Sequence, residues 1–558
     1  MPDQPELAVS ILDSKIQGAP TAACRRADGF EFFLHSPENP VAEARRLAAA
    51  APSRERTLYV VLGFGLGYHV RELLERVPRS SHVLVLEPDS ACLSGRLAAS
   101  GNRSWAWISD RRLHRFAHHD PGVAPSAIAD RMASLRLLSL EMLVHDPSTL
   151  TAEAFYGALR EGIPREFPIS FASRIGSLDK MLENHLANFW ANLPSSWEAS
   201  PVKTLRGRWA GRALILVSAG PSLTPALPCL GEAGGKALLL ATGTAVRTLL
   251  DNRIRPDLVI STDPYPANLG HFQGWDTSGV PLVYHHQIYR GIPEEYRGPK
   301  FWFAMQDDPP VPLARDRERS GFRQGGSVAF SALQLAHYME ADPIIFVGQD
   351  FAFADGHTHA RGCIVDQPYR AEALPADYLR VPGVSGEPVP TSRLYYWYLL
   401  FMQDYLREYG RKKPGIRHIN TSRTGALIRG MEALDLRQAL AEAAPVSSPS
   451  PGQMIVEAFA RGRRKPPEAC KRALDRWARE LERLPAACAS ADEFDRLAAR
   501  CRALSFYAQA ARLYDDVRYL YEVRSLSLGA PFQAEFRSRF VAHLRWLREE
   551  LIRMRDTA

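Results

Sequence analysis

A set of short polar segments, most of them following apolar runs, carries the residues able to do chemistry in this chain. Gly220-Pro221-Ser222 follows Leu214-Ile215-Leu216-Val217. Small residues let a backbone approach a ligand, Ser222 offers a hydroxyl, and a following helix aims free N–H groups at an anion. That is a way to hold a phosphate. Thr242-Gly243-Thr244 closes the run Leu238-Leu239-Leu240-Ala241. Leu258-Val259-Ile260 leads to Ser261-Thr262-Asp263-Pro264. Asp263 suits a sugar hydroxyl, a base edge or a divalent metal such as Mg2+ or Mn2+, although no Asp-x-Asp pair accompanies it. Gly325-Gly326-Ser327 heads an apolar segment and reads equally as a helix cap or as a close approach to phosphate.

The acid–base candidates come last in this series. Pro343-Ile344-Ile345-Phe346-Val347 ends at Gly348-Gln349-Asp350, and the next ten residues include Asp355, His357 and His359. A carboxylate at a strand end with two imidazoles nearby has the composition of a general acid/base site, because histidine exchanges protons near neutrality. The alternative is a surface loop with solvated histidines. His285-His286 forms a second pair, but neighbouring side chains on a strand point to opposite faces, so the two are not expected to share a site.

These segments need a scaffold that gathers strand ends. Continuous apolar runs read as buried parallel strands, and open α/β sheets bind ligands at the carboxyl ends of their strands. The expected class is α/β, in four parts. Residues 1–148 read as a Rossmann-like domain with a β-rich opening and a helix starting at Pro40. Residues 149–206 read as a helical connector, and 207–443 as a central, doubly wound α/β domain. Residues 444–558 read as a helical tail introduced by the Pro/Ser-rich stretch Pro445 to Gly452. In the first part, Gly63-x-Gly65-x-Gly67 follows Thr57 to Leu62, and Glu87-Pro88-Asp89 closes the next strand. This resembles the cofactor loop of S-adenosylmethionine-dependent methyltransferases, with Glu87 for ribose hydroxyls. It reads equally as a tight strand-to-helix turn. In the tail, Tyr507, Tyr514, Tyr519 and Tyr521 lie among arginines, suiting either protein contacts or a helical core.

Composition narrows the class. The chain has 558 residues with 69 Lys and Arg against 62 Asp and Glu, a formal charge of +7. That excess favours acidic ligands, but no basic block interleaved with aromatics points to nucleic acid. The seven cysteines are scattered and form no Cys-x-x-Cys pair, as for reduced thiols in a cytoplasmic protein. No secretory signal or membrane span is expected, so a secreted substrate would be met before export.

Taken together, Ala219 to Leu223, Arg255-Pro256-Asp257, Thr262-Asp263-Pro264, Gly348 to Phe353 and His357-Thr358-His359-Ala360 resemble the motility-associated factor (Maf) family of flagellin glycosyltransferases. The central part also resembles the archaeal 6-hydroxymethylpterin pyrophosphokinase (MptE-like) group. Leu34 to Pro37, Pro40, Glu43, Gly63 to Gly67 and Asn420-Thr421-Ser422 extend the likeness over most of residues 30–435. The resemblance implies transfer of a nonulosonic acid from a CMP-activated donor to Ser or Thr of flagellin, on a domain like that of bacterial sialyltransferases. It implies nucleotide-sugar contacts at Gly220, Pro221, Ser222, Thr242, Gly243, Thr244, Asp263, Gly325, Gly326 and Ser327. Ala219 stands where those sialyltransferases carry an asparagine. By spacing, the equivalent of their catalytic histidine falls near Thr391-Ser392, which cannot serve as a comparable base. His359 or His357, oriented by Asp350, is expected to take that role on chemical grounds. The other readings are an ATP- and Mg2+-dependent pterin pyrophosphokinase using Asp263 and Asp350, and a non-catalytic flagellin-binding chaperone. No cofactor is certain, and assembly into a homo-oligomer is left open.

Overall fold

The structure is a computed structural model. It describes residues 7–88, 106–117, 120–306, 321–323, 325–354, 356–368, 378–443, 449–462, 468–484, 490–504, 515, 517–520, 522–523 and 529–557. Asp89, Asp355, the linker residues 445–448, Tyr507, Tyr514 and Tyr521 lie outside them. The chain divides into two compact units, Met1–Lys180 and Met181–Ala558.

The first unit opens with a three-stranded antiparallel sheet, β1 (Ala8–Leu12), β2 (Thr21–Arg25) and β3 (Glu31–Phe33), in the order β1-β2-β3. Helix α1 (Pro40–Ala50) starts where Pro40 predicts, and the Asn39 side chain accepts the Ala42 N–H at 2.9 Å. A four-stranded parallel sheet follows. Its strands are β4 (Thr57–Leu62), β5 (His82–Glu87), β6 (Leu113–Ala117) and β7 (Ser139–Val144), in the order β6-β5-β4-β7. Every residue of β4 is buried, which is why it reads as an unbroken apolar run. Helices α2 (Tyr68–Arg76) and α3 (Ala124–Leu135) accompany this sheet. The long helix α4 (Glu153–Ala191) comes next and carries Pro164 and Pro168 within it.

The second unit is built on one nine-stranded sheet. Its strands are β8 (Ser200–Pro201), β9 (Leu214–Val217), β10 (Leu238–Thr242), β11 (Leu258–Ser261), β12 (Leu282–His285), β13 (Lys300–Phe303), β14 (Ile344–Val347), β17 (His418–Asn420) and β18 (Glu432–Ala433). A separate hairpin supplies β15 (Leu379–Pro382) and β16 (Pro388–Thr391). The large sheet runs β18-β17-β14-β9-β10-β11-β12-β13-β8, and each pairing is parallel. From β9 the chain steps outward through β10 to β13. It then returns to lay β14 against the other side of β9, with Ile344 opposite Leu214. Strand order therefore reverses between β9 and β14. Such a reversal opens a crevice at the carboxyl ends of the two strands.

The helices that matter for this crevice are α5 (Leu223–Gly231), α6 (Gly243–Asp251), α7 (Val328–Tyr338) and α8 (Arg393–Lys412). Helix α7 is buried continuously from Ala329 to His337, as expected of a helix apolar all round. On one face of the sheet, Ile215, Val217, Leu239, Val259 and Ile345 pack with Leu223, Leu227, Val246 and Leu249. Leu214 to Val217 are each at most 1% exposed, and each such side chain contributes about 1.5–3 kcal/mol by burial.

Helices α9 (Leu436–Glu442), α10 (Pro451–Gly462), α11 (Glu468–Glu482), α12 (Ala491–Arg502) and α13 (Gly529–Thr557) complete the unit. Pro451 and Gly452, expected in the linker, open α10 instead. Ser450 Oγ accepts the Gln453 N–H, and Gln453 Oε1 accepts the Ser450 N–H. This reciprocal cap places proline in the first turn, where it costs no hydrogen bond. Tyr519 is 1% exposed, a core residue.

A tight point of the central fold is Gly348, with φ +71°. A Cβ there would collide with the Ser218 carbonyl. Gly348→Ala is expected to cost roughly 3 kcal/mol or more, read as a large fall in melting temperature or loss of soluble protein.

Candidate functional site

The loop after β9 and the loop after β14 are stitched together before any ligand is considered. Ser218 N–H donates to Val347 O at 2.9 Å and Gly220 N–H to Gly348 O at 2.9 Å. Ser218 Oγ donates to Gln349 Oε1 at 2.9 Å. Asp350 completes the junction. Its carboxylate accepts the Ser222 N–H at 2.8 Å and a short hydrogen bond from Ser422 Oγ, while its carbonyl accepts the Ala426 N–H at 2.8 Å. Asp350 is 1% exposed. It ties the ends of β9, β14 and β17 together.

This corrects two expectations. Asp350 does not orient His357 or His359; its oxygens bind Ser222 and Ser422. The turn Gly220-Pro221-Ser222 does not present the free donors of a phosphate loop. The Ser222 N–H is on Asp350, the Leu223 N–H on Gly220 O at 3.0 Å and the Thr224 N–H on Pro221 O at 3.2 Å. The carboxylate of Asp350 stands where an anion would sit at the head of α5. Gly220 is glycine because a Cβ would strike Asp350 Oδ2 and Gly348 O. Ser222 Oγ is buried with no hydrogen-bond partner among the described residues.

Beside this junction lies an open cavity of about 520 Å³. Gly220, Pro221, Thr242, Gly243, Thr244, Asp263, Gly325, Gly326, Ser327, Asp350 and His359 all line it, so eleven of the thirteen expected site residues converge; Ser222 and His357 do not line it. Two helices start at the cavity wall. Thr242 precedes α6 without a side-chain capping bond, leaving that end open to an anion. At α7, Ser327 Oγ accepts the Ala329 N–H at 3.2 Å, so Ser327 does act as a cap. It does so on the cavity wall. Gly326 has φ +73°, and a Cβ there would lie 2.6 Å from the Tyr398 ring.

Asp263 Oδ1 accepts the Tyr265 N–H at 3.0 Å. Burial pushes its carboxyl above the ordinary range, partly offset by that bond. Among the described residues, the one group of three or more potential metal ligands does not include Asp263 or Asp350; each Asp350 carboxylate oxygen accepts a protein donor. Lysine and arginine are absent from the described residues that line the cavity.

His357 is held away from the cavity by Asp366, with Nδ1 to Oδ2 at 2.8 Å. His359 faces in. Its Nε2 is 2.9 Å from the Tyr395 hydroxyl, its Nδ1 is 3.1 Å from Thr358 Oγ1, and its backbone N–H donates to Asp366 Oδ1 at 3.1 Å. Burial holds the His359 pKa below its ordinary value, with the Asp366 charge acting the other way. The hydrogen bond from the Ala360 N–H to Ala219 O, at 2.8 Å, straps this segment to the loop after β9. Of the pair His285-His286, His285 lines the cavity, whereas His286 is buried edge-on against Trp302 at 5.1 Å.

Sequence reasoning missed Tyr395, Tyr398, Asp366 and Gln349. Tyr395 and Tyr398 stand on α8, whose buried stripe is Tyr396, Leu399, Met402 and Leu406. An aromatic run of that density behind a serine cap was the available signal.

A second cavity, about 390 Å³, lies between residues 191–195, residues 290–294 and α13. Its Arg553 is ion-paired with Glu550, and none of the strand-end motifs reaches it.

The first unit has a matching reversal of strand order, between β4 and β7, but protein fills it. A Cβ on Gly63 would strike Ser148, one on Gly65 would lie 2.6 Å from His35 Nε2, and one on Gly67 would lie 2.7 Å from Phe64. Glu87 is 1% exposed and accepts a short hydrogen bond from the Phe64 N–H. The glycines there serve tight packing. His35, His69 and His145 meet at this point, with one ring nitrogen from each lying within 4.8 Å of the others. Their hydrogen bonds argue against a metal. His35 Nε2 accepts the Leu66 N–H at 2.9 Å, so its proton sits on Nδ1 and its lone pair is used. The His69 and His145 rings are stacked at 4.2 Å and 12°, so their in-plane lone pairs do not converge. Burial and the neighbouring His35 lower the His69 pKa to about 3, so that ring is neutral near pH 7, and the three stacked and tilted rings pack as a plug.

The central region of the chain also has counterparts among known proteins. Residues 187–356 match the protein-family model described as 6-hydroxymethylpterin diphosphokinase MptE-like. The MptE-like resemblance read from the sequence is borne out over that stretch, which holds α6, α7 and strands β8 to β14. Among solved structures, the chain is similar to one described as "Structure of MAf glycosyltransferase from Magnetospirillum magneticum AMB-1". The identity is 16%, covering 99% of this chain and 92% of that one, with a TM-score of 0.44. No curated protein matches the chain. No helix among the described residues is long and apolar enough to cross a membrane.

Two outcomes are expected from these sites. Asp350→Asn places an amide NH2 against a donor and is expected to destabilise the protein by about 1–3 kcal/mol per orphaned donor, read as a lower melting temperature. S-adenosylmethionine is expected to give no heat of binding in calorimetry, since its crevice in the first unit is filled.

Proposed function

We propose that this chain is an inverting glycosyltransferase. It moves a nonulosonic acid of the pseudaminic, legionaminic or sialic type from a CMP-activated donor to Ser or Thr of flagellin, in the cytoplasm before export. The observation that carries the proposal is the open cavity at the β9/β14 reversal, walled by the start of α6, which has no side-chain cap, and free of lysine and arginine among the described lining residues. A nucleoside triphosphate is usually held by a lysine or arginine clamp with Mg2+. A donor with a single esterified phosphate needs less charge, and helix N–H dipoles can meet it. The choice of sugar and of flagellin rests on the sequence resemblance.

In this reading the leaving phosphate lies against the first turn of α6, near Thr242, Gly243 and Thr244, with Gly326 and Ser327 opposite. Donors aimed at the leaving oxygens stabilise charge as it develops. Asp263 faces the nucleoside or the sugar hydroxyls. An acceptor hydroxyl attacks the anomeric carbon from the face away from the phosphate, which inverts that centre.

A pterin diphosphokinase is the second reading, favoured by the family model that residues 187–356 match. The hydrogen bonds that Asp350 makes to Ser222 and Ser422 weigh against it, because Mg2+ would compete with them for the carboxylate.

Intact-mass analysis of flagellin tests the proposal. Flagellin from a strain lacking this chain is expected to lose the glycan mass, and Asp263→Ala is expected to behave likewise while keeping its fold. Unchanged flagellin mass in both, or formation of AMP from ATP and the pterin alcohol, would reject it.

A further inference from the structure

Thr391 and Ser392, where spacing placed the missing base, are not reacting groups; they set the residue that is. Thr391 Oγ1 donates to Phe351 O at 2.6 Å, which pins the end of β16 to the segment after Asp350. Ser392 Oγ accepts the Tyr395 N–H at 3.1 Å and caps α8. The capped turn fixes Tyr395, whose ring packs with Phe353 at 5.5 Å and Tyr398 at 6.3 Å. Its hydroxyl reaches His359 Nε2 at 2.9 Å. Both side chains line the cavity. On the far side of the imidazole, Thr358 Oγ1 accepts the Gln367 N–H at 3.0 Å and lies 3.1 Å from His359 Nδ1. A hydroxyl oxygen has two lone pairs, so it can accept Nδ1–H as well. That tautomer leaves Nε2 free to take the phenol proton.

We propose that Tyr395 and His359 form a proton relay that serves the acceptor hydroxyl. This rests on the transferase reading above. As the acceptor oxygen bonds to the anomeric carbon, its proton passes to the Tyr395 oxygen and the Tyr395 proton passes to His359 Nε2. The anomeric carbon–phosphate oxygen bond breaks, and its electron pair leaves with the nucleotide. The imidazolium then gives its proton to water. Tyr395 ends as it began, so no oxidant, reductant or metal is needed. Burial raises the Tyr395 pKa well above that of a free phenol, so it acts as a neutral relay. The groups facing His359 are Tyr395, Thr358, Asp366 and, further off, His271. Since the His359 pKa lies below the ordinary histidine value, the neutral, proton-accepting form persists to the acid side of about pH 6.5. The transfer rate should be flat near neutrality and fall only in more acid solution.

The test compares wild type, His359→Gln and Tyr395→Phe in three measurements on the full chain. These are the heat of CMP binding, the rate of glycan addition to flagellin at several pH values, and acylation of His359 by diethylpyrocarbonate read by peptide mass. Both variants are expected to bind CMP as wild type does and to lose about 100-fold or more in transfer. The acid limb should disappear in His359→Gln. In Tyr395→Phe, His359 should be acylated faster, and CMP should protect it in wild type. Transfer at the wild-type rate by either variant would overturn the relay, as would a transfer defect explained wholly by lost CMP binding. Wild type that binds CMP and shows CMP-protected His359 but never modifies flagellin would overturn the transferase reading and the relay's chemistry with it.

Discussion

One buried carboxylate organises the centre of this protein. Asp350 accepts the backbone of Ser222 and the hydroxyl of Ser422, joining the carboxyl ends of three parallel strands that are far apart in the chain. A buried charge is costly unless its lone pairs are met by donors. Here the donors come from loops that must adopt one geometry to supply them. Gly220, Gly348 and Gly425 are glycines because the backbones close on this carboxylate and on one another; a Cβ on Gly425 would lie 2.8 Å from Asp350 Oδ1. The rigid junction forms one side of the cavity, and the start of α6, which has no side-chain cap, stands on its wall with the Ser327-capped start of α7.

The two units use the same topological device with opposite outcomes. Each parallel sheet reverses its strand order beside its first central strand, between β4 and β7 and between β9 and β14. In the first unit the resulting crevice is packed with His35, His69, His145, Ser148 and Phe64. In the second it stays open, lined by hydroxyls, small residues and imidazoles that include His285 and His359. Whether a reversal of strand order becomes a binding site depends on what the following loops place over it. Glycine spacing alone carries no such information, because glycine serves close packing and ligand approach equally well.

This explains what could be read from the chain. Strands such as Leu214–Val217 and Ile344–Val347 were legible because burial on both faces selects an unbroken apolar run. The convergence of their ends followed from parallel topology. The division of labour among polar residues was not legible. Asp350 and Asp263 both follow a strand and both line the cavity, yet only the Asp350 carboxylate accepts donors from distant loops, Ser222 and Ser422, and no local signal distinguishes the two. His357 and His359 are two residues apart, and Asp366 separates their roles. Tyr395 was hidden because its position is set by a cap on a helix whose neighbours in space come from Phe351 and Phe353, some forty residues earlier in the chain.

The central claim is that the cavity beside the Asp350 junction holds a nucleotide phosphate at the start of α6. A crystal structure of the protein soaked with CMP tests it most directly. The account requires the phosphate within hydrogen-bond reach of the backbone N–H groups at Gly243 to Ala245, with Asp350 still bound to Ser222 and Ser422. Density for CMP elsewhere, or a phosphate on the Ser222 N–H with Asp350 displaced, would contradict it.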